Sequence, residues 1–409
     1  MSSSLPPSPA PGRLHQAFAA IRARNGELNA LLTVCDPPNG ADGIPLAVKD
    51  LFDTAGVRTT CGSALHRDRM PDRTAVAVTR LESAGYVMVG KANLDEFAYG
   101  VTGENAHFGA TRNPLAPDRW SGGSSGGCAA ALAAGMCDVA LGTDTSGSIR
   151  IPAALCGVVG FKPTRGAVPL DGVFPLAPSL DHAGPMARSV GECAAAFTAL
   201  TGGPASIDPL PEGLRVGLAE SYLEGCRPGV VAAVRRAAAL VGAQPCAFPG
   251  PERFDPTPIL FAEAATVHRD TFPAQAERYG PGPAARLAAG RRVAAVDYLA
   301  ALDALRAFGR RCLDALTGFD VLLAPTVGEV APLRAEAAVD SRDASAVREE
   351  LLRRTRPFNA LGWPALALPC GAAEHGLPAS VSVVGRSGDD ALVLTAAAAL
   401  ERTLASVDS

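Results

Sequence analysis

Two Gly/Ser-rich turns, SGGSSGG at 121–127 and GTDTSGSIRIP at 142–152, constrain this chain more than any other feature, because one helix and one strand separate them in a strongly apolar stretch. A flexible linker is flanked by polar low-complexity sequence, whereas here an alanine run with high helix propensity begins at once at Cys128. The stretch lacks the Gly-Lys-Ser/Thr ending of a phosphate-binding P-loop and the spacing of a GxGxxG turn. Close backbone packing around glycine needs no paired serines. Ser124 and Ser148 are 24 positions apart, enough for a helix and a returning strand to bring both to one end of a sheet, where α/β proteins usually hold ligands.

The rest of the chain supports a large buried core. Of its 409 residues 48% are hydrophobic and 19% charged, and the net charge of -4 leaves no uniform positive field for nucleic acid or an anionic membrane. Arginine pairs at 235/236, 291/292, 310/311 and 353/354 fall in Ala/Leu-rich stretches and read as solvated faces of amphipathic helices. No run approaches the roughly 18 consecutive apolar residues of a membrane span. The opening MSSSLPPSPAPGR lacks the pattern of a secretory signal, so residues 1–12 are expected to form a disordered tail. Ten dilute cysteines without metal spacing imply reduced thiols and a cytoplasmic protein; six scattered histidines argue against a catalytic metal, and no cofactor is expected.

Apolar strands alternate with helices, the pattern of an α/β fold. Leu14 to Val34 reads as a helix and an extended run, and GIPLAVKD as a strand of period two that sends Lys49 and Asp50 to opposite faces. Thr74 to Ala84 reads as a helix, YVMVGKAN as a strand, RNPLAPDRW as a loop, CAAALAAGM as a helix, and CDVALGTDTSGSIR as a strand entering a turn. The punctuated segments 201–213 and 245–258 are the best internal boundaries. Between and beyond them come a strand at LRVGLAE, a helix at GVVAAVRRAAALVGA, a helical middle, a strand at FDVLLAP, strands at PALALPCG and ASVSVVG, and a helix from Asp389 to Thr403. No linker separates two cores, so one domain is expected.

A nucleophilic serine needs a base. His107 and His182 are candidates, but neither has an acid at a recognised spacing, and no GxSxG turn occurs. Lys49 is the better candidate: burial in an apolar strand lowers an amine's pKa from about 10.4 toward the range in which it accepts a proton.

These residues carry a resemblance. GIPLAVKDLFD, VGKANLDEFAYGVTGENAHFGATRNP, SGGSSGGCAAALAAG, LGTDTSGSIRIPAALCGVVGFKPTRG, SLDHAGPMARS, FNALGWPALALPCG and GLPASVSVVGR together resemble the amidase signature family of serine hydrolases over most of the chain. The resemblance implies a single large α/β/α domain over 13–409, its mixed central sheet covered by helices on both faces, with a variable substrate-funnel region at about 205–330. It implies Lys49 as base, Ser124 as relay serine after a cis Gly123–Ser124 bond, and Ser148 as the nucleophile that forms an acyl-enzyme. The backbone N–H groups of Thr145, Ser146, Gly147 and Ser148 would form the oxyanion hole. Ser125 is read as an N-cap or turn hydrogen-bonder, and Asp144 with Arg150 as a pair flanking the nucleophile. Candidate substrate contacts are Gly122, Gly123, Phe97, Tyr99, Trp120, Asp144 and Arg150, with Glu263, His268, Arg269 and Tyr298 as polar residues of the funnel region.

The expected activity is hydrolysis of a carbon–nitrogen bond in a small-molecule amide, ureido compound or carbamate, by a monomer or homodimer. Within the family the sequence is similar to free-standing bacterial amidases, to the carboxybiuret hydrolase type and to the glutamine-hydrolysing subunit of the tRNA-dependent glutamine amidotransferase. That subunit is one alternative, although the middle region here is short for it. Others are a Ser-His-Asp esterase and a non-catalytic partner subunit. Two departures stand out: Ser146 replaces the first of two glycines common before the nucleophile, and only about ten residues separate ALLTVCD from AVKD.

Overall fold

The computed structural model describes residues 12–36, 42–203, 212–335 and 342–408, so the expected tail lies outside the described residues except for Gly12. Helix α1 (Arg13–Leu28) leads into strands β1 (Leu31–Val34) and β2 (Ile44–Lys49), then α2 (Val76–Ser83) and β3 (Tyr86–Ala92). A hairpin of β4 (Arg112–Asn113) and β5 (Ala116–Trp120) precedes α3 (Gly126–Ala133), β6 (Val139–Thr143), α4 (Arg150–Cys156), β7 (Val159–Lys162), β8 (Ala183–Ala187) and α5 (Val190–Thr201). There follow β9 (Val216–Ala219), α6 (Pro228–Leu240), β10 (Gln244–Cys246), and helices α7 (Thr257–Val267), α8 (Phe272–Gln275), α9 (Pro281–Gly290) and α10 (Ala295–Ala315). The chain continues through β11 (Val321–Pro325), α11 (Arg342–Arg353), α12 (Arg356–Leu361), β12 (Ala365–Ala372), β13 (Pro378–Val384) and α13 (Asp390–Asp408).

Among the described residues, eleven strands form one sheet in the order β1-β3-β2-β6-β8-β7-β12-β13-β11-β9-β10. It is mixed: β2 pairs in parallel with β3 and β6, whereas β8 runs antiparallel to β6. The central strands are mostly apolar because both faces are covered. Leu46 and Val48 of β2 enter a core with α2, α5, α6 and α13, while Ala47 between them enters another with α1, α3 and α4. The same alternation in β11 sends Leu322 and Ala324 into a core with α10 and α12. Local signals set helix ends: the Ser189 hydroxyl accepts the Glu192 N–H at 3.3 Å to start α5, and Pro228 opens α6, where no N–H is needed.

Some expectations are corrected. RNPLAPDRW is the β4–β5 hairpin rather than loop, with Arg112 paired to Trp120 around a Pro-Leu turn. Helix α3 starts at Gly126, and α13 runs on to Asp408. Beyond the two punctuated segments, β9, β10 and β11 join the same sheet as the strands before them. Arg354 is buried, not solvated: its guanidinium donates to the Tyr222 and Glu224 carbonyls at 2.8 and 2.7 Å. Among the described residues, no helix is long and apolar enough to cross a membrane.

Candidate active site

The parallel pairing of β2 and β6 puts Val48 in register with Leu141, so Lys49 and Thr143 end their strands side by side. The Lys49 ammonium donates to Ser124 Oγ and Thr143 Oγ1, each at 2.7 Å. Lys49 is fully buried and makes no ion pair among the described residues. Burial lowers its pKa to about 8, against a smaller opposing pull that includes the charges of Asp95, Asp144 and Asp181. Its neighbour in the sheet behaves differently. Lys91, equally buried, sits 3.3 Å from the Asp50 carboxylate and also donates to Phe52 O and Thr59 Oγ1. Asp50 points away from Lys49, as the strand period requires, and accepts from Thr60.

Ser124 follows a cis peptide bond with Gly123. Gly123 has no room for a Cβ, which would overlap the Asp95 carboxylate, itself fixed by the Gly103 amide at 3.0 Å. Ser125 occupies the N-cap position of α3, yet its hydroxyl does not cap the helix. It donates to Thr143 O at 3.1 Å while its N–H donates to Ser148 O at 3.1 Å, so this one residue joins the two Gly/Ser turns.

The second turn is held from behind. Asp144 is completely buried, accepts the Gly147 N–H at 2.7 Å and pairs with Arg150 Nε at 3.0 Å. Although burial alone would raise it, the Arg150 charge and hydrogen bonds hold its carboxyl well below the usual carboxylate range. Asn359 of α12 donates to Asp144 Oδ1 and accepts from Arg150, and the Thr355 hydroxyl donates to Ser146 O at 2.6 Å. A Cβ on Gly147 would overlap that hydroxyl, and the φ of 135° at this position is one that L side chains rarely adopt. The Gly147 N–H is therefore engaged, whereas the amides of Thr145, Ser146 and Ser148 have no protein acceptor among the described residues.

Ser148, Ser146 and Thr145 line a cavity of about 240 Å³ together with Tyr99 and Leu176. Its walls come from α7, α9, α11 and the start of α12, where Leu260, Phe261, Arg286, Arg348, Glu349 and Arg356 face it. Only the first two helices belong to the funnel region expected at 205–330. The Arg286 guanidinium lies 4.8 Å over the Tyr99 ring and donates to the Tyr99 carbonyl. Phe97 and Trp120 are packed elsewhere, Phe97 against Phe174, His268 and Tyr279, and Trp120 against Val101, Ile151 and Leu155. Neither they nor Gly122 and Gly123 line the cavity. Glu263 instead accepts from Ser179 and Tyr298, His268 meets Tyr279, and Arg269 is solvent-facing. Neither histidine hydrogen-bonds Ser148 among the described residues: His107 contacts Glu96, and His182 contacts the Leu180 and Asp144 carbonyls, its pKa pushed well down first by burial and then by the Lys162 charge. Thr143, Asp95, Thr355, Asn359 and the wall arginines were not singled out from the sequence. Asp95 lies inside a quoted motif, but only the folded backbone brings it against Gly123.

An α/β sheet ends here in a serine-bearing turn beside a buried lysine that makes no ion pair among the described residues, and the family model for amidases matches residues 15–394. The chain belongs to the amidase family and is an enzyme of that class. It is 37% identical over 406 residues to a glutamyl-tRNA(Gln) amidotransferase subunit from Roseiflexus castenholzii, covering 88% of this chain and 82% of that one. It is 36% identical over 384 residues to the AtzE component of the 1-carboxybiuret hydrolase of Pseudomonas sp. strain ADP, covering 88% and 84%. The solved 6-aminohexanoate cyclic dimer hydrolase in complex with substrate superposes with a TM-score of 0.86 at 30% identity, covering 96% and 93%.

Proposed function

We propose that the protein hydrolyses an amide-type carbon–nitrogen bond, in an amide, ureido compound or carbamate of a small molecule, with Ser148 as nucleophile. The observation that carries this reading is the buried Lys49 amine, 2.7 Å from the Ser124 hydroxyl and paired with no carboxylate among the described residues. With a pKa of about 8, roughly a tenth of the molecules hold it neutral at pH 7. Neutral Lys49 takes the Ser124 proton, Ser124 takes that of Ser148, and Ser148 Oγ bonds to the substrate carbonyl carbon. Charge on the carbonyl oxygen falls to the unclaimed amides of Thr145, Ser146 and Ser148. The Gly147 amide, given to Asp144, shapes the turn instead. The relay then runs backward to protonate the leaving nitrogen, the C–N bond breaks, and water repeats the sequence to free the acid and restore Ser148.

Arg356 is paired with Glu349 at 2.8 Å on the same wall, and the charges of Arg286 and Arg348 beyond that pair favour a negatively charged acyl portion. The unpaired cysteines favour the cytoplasm. A second reading, supported by the amidotransferase subunits among the relatives, is the same chemistry on glutamine with ammonia passed to a partner.

The test is intact-protein mass after incubation with a fluorophosphonate, for wild type, Ser148→Ala and Lys49→Ala, followed by an amide and carbamate panel that includes glutamine. One adduct on Ser148, lost in the serine variant and strongly slowed in the lysine variant, is the expected result. Folded wild type without an adduct overturns the free-standing hydrolase, and turnover confined to glutamine selects the second reading.

A further inference from the structure

Beside the arginine-bearing cavity lies another of about 270 Å³, and Thr145 and Leu176 line both. Leu51 and Phe174 make its interior apolar, with Thr143 and Asp181 as its further polar members. Pro175 and Pro178 of its lining are exposed, and among the described residues no arginine lines it. Resting on the hydrolytic reading above, we infer that this second cavity takes the nitrogen side of the substrate, an apolar primary amine of alkyl or benzyl type, while the first takes the acyl side.

The argument is directional. A tetrahedral carbon on Ser148 Oγ points its oxygen at the turn amides, and its two remaining substituents must diverge. The nitrogen has to meet the proton returned through Ser124 from Lys49, and the second hydrogen-bond partner of Lys49, Thr143, lines only the second cavity. Arg286 and Arg348, in excess over the Arg356–Glu349 pair, line only the first, where their charge would oppose protonation of a departing amine. Among the described residues, Asp181 is the single charged member of the second cavity. Its carboxylate accepts from Thr145 Oγ1 at 2.6 Å and from the Leu176 and Ala177 amides, and its negative charge favours the nascent ammonium. Its pKa is pushed up to about 6, chiefly by burial, which leaves it ionised at neutral pH. The step balances: the acyl carbon leaves nitrogen for Ser148 Oγ, the Ser148 proton ends on nitrogen, and the neutral amine departs, to be protonated in water.

The experiment compares kcat/KM for succinamic acid and its N-methyl, N-butyl and N-benzyl derivatives, in wild type and in Leu170→Trp, which fills the second cavity from its periphery. Val173→Phe serves the same purpose if the tryptophan variant does not fold. Burying a butyl or benzyl group should raise kcat/KM over the primary amide by about tenfold or more in wild type. The filled variant should lose that gain and keep its value for the primary amide. Fluorophosphonate labelling of Ser148 separates the two failures. Normal labelling with a flat series, including one without detectable cleavage, overturns the amine site. Absence of labelling overturns the hydrolytic reading beneath it.

Discussion

The hydroxyl of Thr355 donates a 2.6 Å hydrogen bond to the main-chain carbonyl of Ser146, across 209 positions of sequence. Arg150 donates to the Thr355 carbonyl at 3.1 Å and to Asn359 Oδ1, so the segment joining α11 to α12 grips the nucleophile turn from behind.

Replacing Thr355 with Val keeps the shape and removes that bond, at a cost of about 1 kcal/mol of stability. The turn is then free to shift by the tenths of an ångström that matter for oxyanion donors, and Ser148 phosphonylation should slow by about tenfold, in line with the loss of part of one such donor. A labelling rate equal to wild type would show that the grip is structural only.

The rate of Ser148 labelling should follow the neutral fraction of Lys49. Because burial lowers the pKa of this amine to about 8, the rate should rise with pH through about 8 and level off above it. A limb centred near 6.5, the ordinary histidine value, would point to another base. His107→Ala and His182→Ala would then identify it.

Two of the buried lysines, Lys49 and Lys91, should answer oppositely to the same change. Lys91→Met strands the Asp50 carboxylate, which burial already disfavours, and should cost about 3 to 5 kcal/mol while the pH profile of labelling keeps its midpoint. Lys49→Met removes an ammonium that the folded protein binds a proton to less tightly than the unfolded chain does. That ammonium lowers stability most below about pH 8 and not at all above about pH 10.4, so the variant should melt higher at neutral pH and lose labelling. Thermal melts at pH 6 and pH 10 read the difference; a gain that grows with pH would contradict it.

Much of this site is legible in short stretches of sequence. The period-two pattern of IPLAVK announces the strand and the direction of Lys49, and the two Gly/Ser turns are dense enough to mark Ser124 and Ser148. What escapes is contact at long range. Thr355 and Asn359 reach the turn from another part of the chain, and nothing in TRPFNALG taken alone reveals it. Arg348 lies in a helix whose charge pattern reads as solvent-facing until tertiary packing turns one side toward the cavity. The β4–β5 hairpin was hidden by two prolines in nine residues, which suit an edge ribbon as well as a loop. Phe97 and Trp120 illustrate the converse: proximity to motif residues along the chain does not place a side chain on the cavity wall.

The arrangement of walls around Ser148 bears on how such a protein acquires new specificity. Helices α7 and α9 touch the cavity but hold no part of the nucleophile turn, so their side chains are open to exchange by evolution or by a designer at little risk to the chemistry. Helix α11 is not, because it runs two residues before Thr355 into the grip on Ser146. Libraries aimed at α7 and α9 should yield folded, active variants far more often than libraries of equal size aimed at α11.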